Sequence, residues 1–146
     1  GLGQPGRYYA VLALDGDGMG KWISGGRTGG IVSRETHQEF SGKLSQFALR
    51  VRRVILRFGG EVIFSGGDDV LTLLPATTAL ACARVLLKEF RDIKVKSDHL
   101  TASAGLAIGH IKAPLQDMVQ EARDAEARAK RPPKRGGWER FCIRNF

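Results

Sequence analysis

The sequence predicts an α+β fold: an antiparallel sheet with helices on one face, ordered β-α-β-β-α-β, then one extra helix and strand. Three observations predict it. Apolar residues switch along the chain between a strand period of two and a helical period of roughly 3.6. Each switch is marked by Gly or Pro. The 146 residues suffice for one substantial core and leave little room for a second.

Residues 1–6 (GLGQPG) read as a flexible leader. Arg7–Leu14, RYYAVLAL, is β-rich and nearly all apolar, the composition of a strand buried on both faces. It stops at DGDGMGKW, and the glycine-rich stretch that follows reads as a flexible loop over residues 24–32. Phe40, Leu44, Phe47, Val51, Val54, Ile55 and Phe58 recur at three- and four-residue spacing, which predicts a long amphipathic helix from Ser33 to Phe58. Ser33 to Thr36 supply N-cap candidates and Gly59-Gly60 a stop.

EVIF (61–64) and VLTLL (70–74) are two short strands around SGGDD, a hairpin, and Pro75 ends the second. Ala76 to about Phe90 is helical, apolar at Leu80, Ala83, Leu86, Leu87 and Phe90. DIKVKSDH reads as a charged link, and LTASAGLAIG (100–109) as a strand of small and apolar residues. A helix starts near Pro114 and runs through DMVQEARDAEARAKR, rich in helix formers. RPPKRGG breaks it, giving a flexible loop at 131–137, and RFCIRNF alternates as an edge strand. Residues 1–146 form a single domain with no internal repeat.

The first six elements match the ferredoxin-like pattern. A helical crossover makes the first and second strands parallel, and the third lies between them, antiparallel to both. The end of the first strand and the tip of the hairpin then share one edge of the sheet. Asp15 therefore meets Asp68 and Asp69, more than fifty positions away in sequence.

Taken alone, GGDD is an ordinary turn composition. Convergence changes that. Three or four carboxylates at one place, Asp17 among them, repel unless a cation joins them. Mg²⁺ takes oxygen ligands and binds through one or two carboxylates plus substrate phosphates. Two such ions activate an attacking hydroxyl and stabilise a leaving pyrophosphate. Gly16, Gly18 and Gly20 let the backbone approach phosphates, and Gly66 and Gly67 keep side-chain bulk away from metal and nucleotide. Rival readings of DGDGMGKW fail. An EF-hand loop would carry Met19 and Gly26 where it needs oxygen ligands, and a dinucleotide fingerprint needs a different glycine spacing.

RYYAVLALDGDGMGKWISG, the long helix, and GGEVIFSGGDDVLTLLPA together resemble the palm domain of the large subunit of type III (Cmr-type) CRISPR effector complexes. That domain is related to GGDEF diguanylate cyclases and class III nucleotide cyclases. The likeness continues through LTASAGLAIGHIKAPL and EARDAEARAK, nearly the whole chain. It implies a ferredoxin-like palm that makes cyclic oligoadenylate second messengers from ATP for antiviral signalling, with two Mg²⁺ or Mn²⁺ ions. Asp15, Asp68 and Asp69 would be catalytic. Asp15, the Gly16 carbonyl, Asp68 and Asp69 would hold the metals. Gly16, Asp17, Gly18, Met19, Gly20, Lys21, Ser24, Gly66, Gly67 and Lys130 would contact nucleotide, Lys130 as a phosphate ligand. A GGDEF-like cyclic dinucleotide synthase, or a nucleotide-binding palm inert outside its complex, stands as the alternative. Whole members of the family also carry an HD nuclease domain, a second palm and a helical domain. His37, His99 and His110 form no His-Asp dyad suited to that nuclease, and Trp22 and Trp138 read as packing groups.

The net charge of +8 is permissive for polyanionic partners and decides nothing alone. Two cysteines, Cys82 and Cys142, make no disulfide framework, so a cytoplasmic location is expected. No apolar run suits a membrane span. The expected partners are ATP, a second copy or another palm, and other type III subunits, with RNA contact indirect.

Overall fold

The computed structural model describes residues 6–20, 34–96, 98–130 and 140–145. The first strand, β1 (Tyr8–Gly16), is central because nothing polar interrupts it: Ala10 to Leu14 are fully buried. Side chains alternate across it, so Ala10, Leu12 and Leu14 join one core cluster while Val11 and Ala13 join another on the opposite face.

The chain continues through α1 (Arg34–Arg57), β2 (Glu61–Gly66), β3 (Asp69–Pro75) and α2 (Ala76–Arg91). A short β4 (Lys94–Val95) and β5 (Asp98–His99) precede β6 (Ala102–His110), α3 (Leu115–Lys130) and β7 (Arg140–Asn145). The main sheet runs β2-β3-β1-β6-β7. β3 is antiparallel to both β1 and β2, as the ferredoxin-like pattern requires, and β7 adds to the edge parallel to β6.

The two core helices cover one face. Phe40, Phe47, Val51 and Ile55 of α1 bury against Cys82, Ala83, Leu86 and Phe90 of α2. Phe47 and Phe90 meet edge-to-face at 5.0 Å, a geometry worth about 1 kcal/mol beyond burial. Gly59, with φ of 78°, and the Gly60 N–H bonded to Ile55 O at 2.9 Å end α1 as its glycines predict. The appended helix α3 packs on the other face, where Met118 and Ala122 meet Val11, Ala13, Leu71 and Ala107.

Two local expectations change. Leu80, placed in the apolar stripe of α2, is 38% exposed, and Ala79 is buried in its stead. The charged link folds into the β4–β5 hairpin, turning through Lys96 at a φ of 53°. Ile93, Val95 and Leu100 anchor that hairpin into the core while its charges face water. Such two-residue strands are too short to show a period. Among the described residues no helix is long and apolar enough to cross a membrane.

Candidate active site

The sheet register builds the site. Asp15 lies directly across from Asp69 on β3 and from Ser103 on β6. The Gly16 N–H donates to Asp68 O at 3.0 Å, tying the hairpin tip to the exit of β1. Gly16 has no room for a side chain: a Cβ there would stand 2.8 Å from Met19 Cγ and 3.1 Å from Asp68 Cβ. Asp15, Asp68 and Asp69 thus share one end of the sheet.

Their electrostatics follow from that proximity. Burial pushes the Asp68 pKa up, and the Asp15 charge and an Asp15 hydrogen bond push it further, against the lowering effect of its own backbone N–H. Asp15 and Asp69 each have a cation from α3, whose face carries Arg123, Glu126 and Lys130 at positions i, i+3 and i+7. Arg123 Nη1 donates to Asp69 Oδ1 at 2.7 Å. Lys130 Nζ donates to Asp15 Oδ2 at 2.6 Å and to the Gly16 carbonyl at 3.2 Å. The Lys130 pKa is raised: Asp15 and Glu126 hold its proton more strongly than burial, the largest single influence, drives it off.

Helix α3 comes this close because β6 carries Gly105. A Cβ at Gly105 would lie 2.2 Å from both Ala122 O and Glu126 N.

The remaining sequence candidates fall around this centre. The Asp17 N–H donates to Thr101 O at 2.7 Å, and its buried carboxylate accepts from Ser103 Oγ at 2.7 Å, which pins the loop to β6. Gly18 turns that loop with a φ of 62°. Met19 packs against the core, and Gly20 has open space around it. Gly67 supplies the hairpin turn at a φ of 77°. Gly66 makes room for the Phe64 ring, 2.8 Å from where its Cβ would be. Lys21 and Ser24, the loops at 24–32 and 131–137, and both tryptophans lie outside the described residues.

Arg123, Glu126, Ser103 and Gly105 escaped the sequence reading. Only the three-, four-residue spacing of Arg123, Glu126 and Lys130 in EARDAEARAK signals a shared helix face.

Among the described residues no three His, Cys, Asp or Glu side chains are gathered as an ion cage, since Asp69 turns to Arg123. The donor set nevertheless fits a hard cation. Asp15, Asp68 and the Gly16 carbonyl present oxygen ligands together, and the Lys130 ammonium already serves as a positive charge on two of them.

The family model for the second palm domain of Cas10/Cmr2 matches residues 8–138. This chain belongs to that family. It is 36% identical, over 84% of its length, to the CRISPR system Cmr subunit Cmr2 of Pyrococcus furiosus, and spans 17% of that protein. Its fold is that of nucleotide cyclases. The active GGEEF domain of a Vibrio cholerae diguanylate cyclase superposes with a TM-score of 0.63 at 17% identity, covering 94% of this chain and 83% of that one. Diguanylate cyclase SiaD of Pseudomonas aeruginosa, solved with its activator SiaC, gives 0.65 at 19% identity, covering 94% and 50%. The dimeric guanylyl cyclase domain of RhoGC from Blastocladiella emersonii gives 0.62 at 16%, covering 86% and 76%. The chain is therefore a member of the Cas10/Cmr2 second-palm family with a cyclase-like fold.

Proposed function

We propose that this palm is a two-metal nucleotidyltransferase that converts ATP to cyclic oligoadenylates with release of pyrophosphate, in cytoplasmic CRISPR type III defence. The observation that carries the reading is the meeting of Asp15 and the Gly16 carbonyl, at the end of β1, with Asp68 of the β2–β3 turn beside the Lys130 ammonium. Asp15, Asp68 and the Gly16 carbonyl would hold Mg²⁺ or Mn²⁺. When bound, the ions supply activation of the 3′-hydroxyl and charge neutralisation at the leaving group. Lys130 binds the phosphates, with backbone N–H groups of the Gly18–Gly20 turn. Asp69, oriented by its 2.7 Å pair with Arg123, accepts the proton of the attacking hydroxyl. The +8 charge is compatible with binding nucleotide phosphates and does not by itself select them.

Incubation with ATP and Mn²⁺ is expected to yield pyrophosphate and cyclic oligoadenylate by mass spectrometry, and Asp68→Ala/Asp69→Ala to drop both to background. Undiminished turnover in that variant sinks the assignment. Preference for GTP as sole substrate would instead make it a cyclic dinucleotide synthase, and ATP binding without turnover an inert module.

Joining two nucleotides needs a donor on one palm and an acceptor presented by another. Activity of the chain alone should therefore rise more steeply than linearly with protein concentration. Strict proportionality across the range where it self-associates would remove the second copy from the mechanism.

A further inference from the structure

Glu126 is only 8% exposed, on the face of α3 that meets the sheet. A carboxylate is rarely buried to that degree without full hydrogen bonding. Yet Glu126 Oε1 lacks a hydrogen bond of good geometry among the described residues and is held in a looser ion pair, with Lys130 Nζ 3.2 Å away. An ordinary helix-surface ion pair needs no such burial.

Lys130 is consequently shared between two anionic sites. On one side are Asp15 Oδ2 and the Gly16 carbonyl, both hydrogen-bonded, and on the other is Glu126 Oε1, in a looser ion pair at 3.2 Å. The two Asp15-side oxygens are the ones the proposed function gives to a divalent ion. An ammonium and a divalent ion repel and cannot both occupy them. A lysine has four rotatable bonds and a compact charge, so it can change partner without moving its helix. Glu126, one turn earlier, stays within its reach. Arg123 also faces Glu126 but is held by Asp69, so it does not compete for the open oxygen.

We propose that Glu126 is a positioning residue that receives the Lys130 ammonium when a divalent ion takes Asp15 and the Gly16 carbonyl. This inference rests on the metal-binding reading above. Glu126 gives the displaced lysine a bonded position beside the site, from which it faces incoming phosphates with its charge intact. Without Glu126 the ion would displace a half-buried ammonium with no anionic partner to receive it, so metal binding weakens before any nucleotide arrives.

A double-mutant cycle on Mn²⁺ affinity, read by electron paramagnetic resonance on the nucleotide-free chain, tests it. Glu126→Gln is expected to weaken Mn²⁺ binding about fivefold when Lys130 is present. Lys130→Met, which removes the competing cation, should tighten it, and Glu126→Gln in that background should change it less than about twofold. An equal loss in both backgrounds would show that Glu126 acts on the ion as a distant charge and would overturn the inference, as would no loss in either. No Mn²⁺ binding by the unmodified chain, or binding indifferent to Asp15→Asn, would bring down the metal reading itself, and this inference with it. Circular dichroism melts check that each variant is folded. If Glu126→Gln melts below the assay temperature, Glu126→Asp, which retracts the charge by one methylene, replaces it in the cycle with the same expected pattern.

Discussion

Gly105→Ala is expected to lower the melting temperature by roughly 5–10 °C and to abolish nucleotidyl transfer in the same step. The added Cβ would stand 2.2 Å from Ala122 O and Glu126 N, and 2.8 Å from Glu126 Cα. All three are backbone atoms, so no rotamer change relieves the clash and α3 must lift from β6. Overpacking of this kind costs about 2–3 kcal/mol. The functional loss comes from geometry, since Arg123, Glu126 and Lys130 ride on the same helix. A lift that separates Lys130 from Asp15 breaks a 2.6 Å contact, and one that separates Arg123 from Asp69 breaks a 2.7 Å contact. Gly109→Ala is the control. Its Cβ would meet Met118 Sδ at 2.4 Å, the flexible end of a side chain that can turn aside. Calorimetry and pyrophosphate release on the two variants decide the matter. A Gly105→Ala protein that melts and turns over like the unmodified chain would mean that α3 is not locked to β6 at this point.

The same contact shows what the sequence could and could not disclose. Asp15, Asp68 and Asp69 were legible because they lie at a strand end or a hairpin tip whose neighbours follow from topology, so their meeting needed no side-chain detail. The observed pairing of Asp15 with Asp69 is that topology made specific. Gly105 was hidden because a glycine in a run of small residues looks the same whether or not a helix presses on it. Arg123 and Glu126 were hidden for a related reason. EARDAEARAK is charged around most of its circumference, and only the placement of α3 on the second sheet face tells which charges point inward. Gly66 carries a packing role the sequence does not announce, since the space it leaves is taken by the Phe64 ring. Leu80 followed the helical period yet is 38% exposed, at the margin of the buried stripe.

Asp68→Asn should raise the stability of the metal-free protein at pH 7 while abolishing its activity. Burial and the Asp15 and Asp69 charges place the folded-state pKa of Asp68 above its unfolded value of 3.8, its own backbone N–H notwithstanding. A carboxyl shifted upward stabilises the fold only while protonated. Its contribution is complete below the unfolded pKa and is lost as pH rises through the folded one. At neutral pH the ionised Asp68 is therefore a burden on the ligand-free fold, and an isosteric amide lifts it. Asp68 is partly solvated, so screening limits the gain to about 1 kcal/mol, or roughly 2–4 °C. The melting temperature of the unmodified chain should fall between pH 4 and pH 7 more than that of Asp68→Asn. Saturating Mn²⁺ should reverse the order, because an ion that binds only the folded state stabilises by mass action, and the variant lacks the carboxylate that holds it. The combination has one physical source: charges held close for a ligand repel in its absence. If Asp68→Asn melts lower than the unmodified chain without metal, that repulsion is not what Asp68 contributes to the fold. If Mn²⁺ stabilises both proteins equally, Asp68 is not among the residues that bind it.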